Sequence, residues 1–444
     1  AQLMGYGVLD FRRRRASGFG GSLLAYAANS ITPQLVADFK EGVYGKNSAL
    51  STFDNVLNHA RSSAATYVDS AGLLQTAASG VARENHHVYN GSAWVKEGYL
   101  HEPEAATNLV TYSQDFTGSS WTKLNSTVIS NAAVSPDGTT NADKLYPPSS
   151  GIRSRIFFGP VTSTTGEHTH GLYVKAAEKD AVWVAQYNNT AYEYVVVNLN
   201  TGAVIGATAT LYYVEDVGGG WYRVSVTGAS TSASRYLSLA AGDVGDTYNE
   251  TGFTNTTASG TDGILIYGAQ LEAGSVPTSY IPTAGSTVTR AADTLTLPVA
   301  NIPYPTGGSL AVSFGYKALV TGQNNGFANW TADANNGVLM QSGTNDFTFT
   351  QEAGGTVDSV TGGSYTSGIN VSVSIAMRNG STFINGADDG TSLTANTTPV
   401  AFPALTGTDL IIAPSGGPQV IQEFIMWGGT TGDIGDAGIA ETSA

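Results

Sequence analysis

The chain has 444 residues, only 12% of them charged, with 54 glycines and no cysteine, and its acids outnumber its bases 35 to 20 for a net charge of −15. That balance speaks against nucleic acid as a partner, because such binding depends on neutralising phosphates. The absent cysteines exclude disulfides, Cys-zinc sites and a thiol nucleophile, while 41% hydrophobic and 10% aromatic residues exclude a disordered polymer. Residues 1–31 form a separate arm that holds four consecutive arginines, Arg12, Arg13, Arg14 and Arg15. Three readings stand for them: a solvated charged face, a docking arm for an acidic partner, or contact with nucleic acid. The N-terminus shows no signal-peptide pattern, so synthesis in a cytoplasm is expected. With no apolar run of about 18 residues, no membrane insertion is expected either. Residues 32–42 fit a helix, capped by Thr32 with Pro33 first and Gly42 beyond its end, or a strand using Val36 and Phe39. Residues 43–112 lack regular periodicity and read as an irregular wrap with short strands. A short helix is expected over 52–61 within that wrap.

From 113 to 284, seven runs of β-branched and aromatic residues are separated by turn chemistry: 172–176, 182–187, 192–199, 210–216, 221–226, 236–240 and 263–271. Asn198-Leu199-Asn200-Thr201-Gly202 and Gly218-Gly219-Gly220 are among the turns. Strands at this spacing predict a β-sandwich. The style continues from 285 to 444, with strands expected at 309–316, 347–352, 369–377, 381–386, 409–414 and 420–428 and tight turns at Asn379-Gly380 and Asn385-Gly386. The small, acidic tail 429–444 is expected to fray. The fold class that follows is all-β, with two or more antiparallel β-sandwiches and an irregular N-terminal arm. No 20–50-residue repeat and no sustained heptad appears.

Several constellations bear on chemistry. His168 and His170 share one face of a strand and could start a zinc site with Glu167; surface polar residues are the plainer reading. His101, Glu102 and Glu104 surround Pro103 and raise acid–base chemistry, against a structural role in which Glu102 bonds backbone. Asp243, Asp246 and Glu250 are candidate Ca²⁺ ligands, with Asp333, Asp388 and Asp389 in similar loops; turn formation is the competing reading. Otherwise no cofactor is expected. A sugar-binding surface needs exposed rings, and Trp183, Tyr187, Tyr192, Tyr194 and Tyr212 are its candidates. Tyr192 and Tyr194 share a face. Core packing and a subunit interface are the other uses of such residues. No GxSxG, HExxH or Walker A motif occurs.

A series of segments resembles a known group: TYVDSAGLLQTAASGVAR (66–83), LHEPEAATNLVTYSQDF (100–116), SSWTK (119–123), SPDGTTNADKL (135–145), VEDVGGGWYRVSV (214–226), YGAQLEAGSVPTSYIPT (267–283) and VTRAADTLTL (288–297). It is similar to phage and prophage virion proteins of the tail-fibre, spike or head-fibre type. The resemblance spans residues 60–297. It implies a docking arm at 1–31, an irregular wrap at 32–112, a carbohydrate-binding-module-like sandwich at 113–284 and a concanavalin- or laminin-G-like sandwich at 285–444. It further implies that 32–112 and 285–440 pack as one lectin-like domain around an inserted middle sandwich.

On that resemblance the expected protein sits in the virion after synthesis in the bacterial host cytoplasm. The arginine arm grips other virion proteins, the body binds bacterial surface glycan, and the chain forms a homo-oligomer, as a trimer. It is not expected to be an enzyme. Two alternatives stay open: a structural virion component without glycan affinity, and a polysaccharide depolymerase, which would need two carboxylates across one bond.

Overall fold

The computed structural model describes residues 23–443, apart from 189, 231, 306–308, 320–324, 343–345, 363–369, 379–380, 386–391, 397–399 and 430–431. The arginine run, Asp388, Asp389 and the turn at Asn379-Gly380 lie outside the described residues. The chain is built from antiparallel sheets, so the all-β class read from the sequence holds.

Two sandwiches are present. In the first, a ten-stranded sheet faces a seven-stranded sheet, and each draws strands from both ends of the sequence. Leu35–Asp38 pairs with Gln419–Trp427, which pairs in turn with Leu310–Ala318. Asn58–Ala60 pairs with Thr294–Leu297 in the facing sheet. The reason is alternation. Leu310, Val312, Phe314 and Tyr316 point between the sheets, while Ala311 points outward. Each fully buried side chain of this kind contributes about 1.5–3 kcal/mol.

The second sandwich is inserted between these strands and has two six-stranded sheets. One contains Arg155–Thr162, Ser234–Gly242, Ala181–Tyr187 and Tyr192–Asn198 in neighbouring positions. The other contains Ile264–Ala273, Gly166–Ala176, Trp221–Ser230 and Leu211–Asp216. Their core joins Val182 and Val184 to Leu172, Val174, Val224 and Val226. The chain enters and leaves this insert through a two-stranded ribbon, Ala106–Asn108 against Val288–Arg290.

A buried charge cluster ties entry to exit. Glu102 receives Arg83 at 2.8 Å and Arg290 at 3.1 Å. Ser279 donates to it twice, through its backbone N–H at 2.7 Å and its hydroxyl at 2.6 Å. Asp293 pairs with Arg83, with Arg61 at 2.9 Å, and with the Glu102 backbone N–H at 2.9 Å. Burial works against the Glu102 charge, but Arg290, Arg83 and the Ser279 bonds outweigh it and hold this carboxyl well below the usual range. Trp94 adds a second tie. Its indole lies against Gly72, in the turn between the paired strands Ala65–Val68 and Leu74–Ala77, and Gly218 of the insert, where a Cβ on either glycine would collide with the ring.

Of the two readings of residues 32–42 the strand holds, and two other local expectations are corrected. Residues 32–42 form no helix: Leu35–Asp38 is a wholly buried strand hydrogen-bonded on both edges, and Gly42 supplies the left-handed turn to the next strand. The helix expected over 52–61 is a single turn, Phe53–Val56, because Asn58–Ala60 is taken into a sheet. The tail does not fray. Gly435–Ser443 is a helix packed with Leu23 and Tyr26 on the outer face of the ten-stranded sheet, burying Ile434 and Ile439 against Trp427.

Candidate functional site

On the insert, the outward-facing residues of one sheet are aromatic. In Ala181–Tyr187, Val182 and Val184 enter the core, so Trp183, Ala185 and Tyr187 point the other way. The register sets Tyr187 directly between Tyr236 on one neighbour and Tyr192 on the other. Their rings form a row across three strands, with centroids 5.9 Å apart for Tyr236–Tyr187 and 4.5 Å for Tyr187–Tyr192. Phe157 extends the row beside Tyr236 at 6.2 Å. The Arg155 guanidinium stands 5.7 Å from the Phe157 ring and 5.2 Å from the Tyr192 ring. Such cation–π contacts fix the cation over the rings.

A second row runs alongside. Tyr194 lies 5.8 Å from Trp183 and 6.4 Å from Tyr248, whose hydroxyl donates to the Ile205 carbonyl at 2.7 Å. The cross-strand partner of Tyr194 is the buried Ala185. Tyr187, Tyr192, Tyr194 and Tyr236 are half-buried. Burial pushes the Tyr194 hydroxyl pKa up. A half-exposed row of rings with a fixed cation can stack the C–H faces of a sugar and bond its hydroxyls.

The structure thus brings Tyr187, Tyr192 and Tyr194 together and adds Tyr236, Phe157 and Arg155, which the sequence reading did not select. Tyr236 alternates with Leu237 and Leu239, which enter the core, and that alternation was the available signal. Trp183 is not an exposed ring. It is fully buried beneath Tyr192 and Tyr194 and supports the row from below. Tyr212 does not join the others: it is exposed on Leu211–Asp216, the edge strand of the opposite sheet.

The remaining candidates fall elsewhere. Asp246 accepts from the Asp243 backbone N–H at 2.9 Å and Asp243 pairs with Lys179 at 2.7 Å, so both serve a turn, with Glu250 exposed in the neighbouring hairpin. Asp333 accepts from the Asn335 backbone N–H at 2.8 Å and likewise shapes a turn. Among the described residues no group of three or more His, Asp or Glu is arranged to hold a metal ion.

His168 and His170 are buried, not at the surface: their side continues inward as Leu172 and Val174. Burial pushes the His170 pKa down to about 3, so its ring is neutral. His101 is also buried and bonds the Ala413 carbonyl at 2.9 Å. Burial lowers its pKa to about 4. Glu102 beside it is committed to the charge cluster, which matches a structural role and leaves no carboxylate oxygen for acid–base work.

No protein family and no curated protein matches the chain. Parts of solved structures do. The CBM40 module of the Ruminococcus gnavus IT-sialidase, bound to α2,3-sialyllactose, is 9% identical over 31% of this chain and 83% of its own, with a TM-score of 0.26. Domain 4 of AbnA, a GH43 extracellular arabinanase from Geobacillus stearothermophilus, in complex with arabinotriose, is 12% identical over 39% and 84%, with a TM-score of 0.27. The binding domain of Botulinum neurotoxin DC in complex with SialylT is 14% identical over 33% and 38%, with a TM-score of 0.26. Likenesses this distant assign no ligand to this chain.

Proposed function

We propose that this chain is a virion attachment protein of the tail-fibre, spike or head-fibre type that holds bacterial surface glycan on its tyrosine face. The observation that carries the glycan part is the row Tyr236–Tyr187–Tyr192, three half-exposed rings in register across three strands with Arg155 set over one end. A core would bury these rings, as the same sheet buries Val182 and Val184 on its other face. The virion part rests on the segment resemblance of residues 60–297. In this reading the chain carries no enzymatic activity, needs no cofactor, and works as a homotrimer. Each weak site then gains strength from its copies through multivalent contact.

The test is retention of the labelled chain on a panel of bacterial cells, before and after periodate oxidation of their surface sugars. Periodate-sensitive retention that Tyr192→Ala weakens is the expected result. Retention on no cell type, from a correctly folded oligomer, would replace this reading with a structural virion component. A rise in reducing ends on cell polysaccharide would replace it with a depolymerase.

A further inference from the structure

The two sandwiches leave a cleft between them of about 470 Å³, within the size range in which proteins hold small ligands. Both sandwiches build its walls. Val88 and Trp94 come from the first, Tyr67 from the separate hairpin Ala65–Val68/Leu74–Ala77, and Val217 and Pro277 from the insert. Glu215 and Arg223 also line it. They are direct cross-strand partners on the outward face of Leu211–Asp216 and Trp221–Ser230.

These two charges are placed side by side and left largely uncommitted. No ion pair joins them, and Glu215 accepts no hydrogen bond among the described residues. Arg223 donates one Nη2 hydrogen bond to the Thr278 carbonyl and rests its guanidinium 5.6 Å from the Tyr173 ring. Its other N–H groups remain for a ligand. Lys317, on the opposite wall, is held loosely by Glu97 at 3.8 Å. Surrounding protein pushes the Glu215 carboxyl pKa up, while Arg223 and then Lys317 pull it back.

The chemistry of the walls selects the ligand class. An anion entering here meets Glu215, and a cation meets Arg223 and Lys317. A neutral polyhydroxylated ring meets neither obstacle. Its hydroxyls donate to the carboxylate and accept from the guanidinium, and its C–H face lies on the aromatic wall. We propose that the cleft between the two sandwiches is a second binding site, which takes a neutral sugar residue or disaccharide through Glu215 and Arg223. The proposal deepens the glycan reading and rests on it for the source of the sugar, but the site is testable without cells.

The experiment is saturation-transfer NMR on the full chain with a panel of neutral mono- and disaccharides, together with a uronic acid and glucosamine. The expected result, read in the Tyr192→Ala background so that the sheet face does not contribute, is transfer to at least one neutral sugar, weakened roughly tenfold or more in affinity by Glu215→Gln and abolished by Glu215→Trp, which fills the cleft. Glu215 accepts no hydrogen bond among the described residues, so both variants should keep the melting temperature of the background chain. Transfer to no neutral sugar, stronger transfer to the charged sugars, or transfer that Tyr192→Ala removes while the Glu215 variants keep it would each overturn the cleft site. Periodate-sensitive retention on cells that persists in Glu215→Trp would then show the sheet face acting alone. Absence of periodate-sensitive retention from the wild-type chain would show that the glycan reading itself has failed.

Discussion

Glu102→Gln isolates the contribution of the buried charge cluster. In the wild-type chain one carboxylate serves two guanidinium groups and two Ser279 donors, at 2.6–3.1 Å. The variant keeps the shape and removes the charge. Arg83 retains Asp293 and the Thr66 carbonyl, and Arg290 retains the Ala291 and Glu104 carbonyls at 2.9 and 2.8 Å. Neither arginine is left bare, so the loss falls short of the sum of four charge-assisted bonds, which at roughly 1.5–3 kcal/mol each would exceed 6 kcal/mol. Removing one partner of a buried pair costs about 3–5 kcal/mol, and that is the expected drop in unfolding free energy, a large share of the roughly 5–15 kcal/mol a protein has. Equilibrium urea unfolding measures it. The pH dependence supplies a second check. Because the folded carboxyl is held below its unfolded value, its contribution is complete above about pH 4.5 and is lost only as pH falls towards the folded value. The gap between wild type and variant should therefore stay constant from about pH 8 to 5. A loss under about 1 kcal/mol, or a gap that closes near neutrality, would refute the cluster as the tie between entry and exit of the insert.

Other outcomes follow from single residues. Tyr192→Ala removes the ring shared by Tyr187 and Arg155 and should weaken glycan retention about thirtyfold, the effect of losing roughly 2 kcal/mol at a central aromatic contact; retention within threefold of wild type would disqualify the row. Gly72→Ala forces a side chain onto a backbone at φ +80° and into the Trp94 ring. It should cost about 2–4 kcal/mol from left-handed strain and overpacking, and a urea midpoint equal to wild type would contradict the placement of Trp94. His170→Gln should change the pH dependence of stability. The native ring stays neutral down to about pH 3, whereas the unfolded chain takes up that proton near pH 6.5. Wild-type stability should thus fall, relative to the variant, by about 1.4 kcal/mol per pH unit below about pH 6. A difference between the two that does not move with pH would rule out the buried neutral histidine.

What the sequence made legible was local and periodic. Val182, Val184, Val195 and Val197 mark an inward face two residues at a time, and the same period puts Tyr192 and Tyr194 on one outward face. Sheet membership is not local, and Tyr212 shows the consequence: it has the same alternation but belongs to the opposite sheet. Its exposure was readable, while its neighbours were not. The same period also pointed inward at His168 and His170, which continue the Leu172 and Val174 face. Their polar side chains hid that signal, although two histidines two apart before Leu172 were enough to carry it.

The charge cluster was out of reach for a different reason. Glu102 and Asp293 are 191 residues apart, and nothing near either marks the other as a partner. Their charges resemble any surface acid until burial is known. The tail helix, too, has little amphipathic pattern of its own, since Gly435–Ser443 is mostly small residues. It is ordered by docking, through Ile434 and Ile439 against the sheet and through Thr442, whose hydroxyl bonds Ser374 at 2.8 Å. Helices in proteins owe most of their stability to such packing and less to propensity. The cleft belongs with these non-local features: Glu215 and Arg223 are neighbours by strand register, but only the approach of Trp94 and Lys317 from the other sandwich sets that pair into the wall of a cleft.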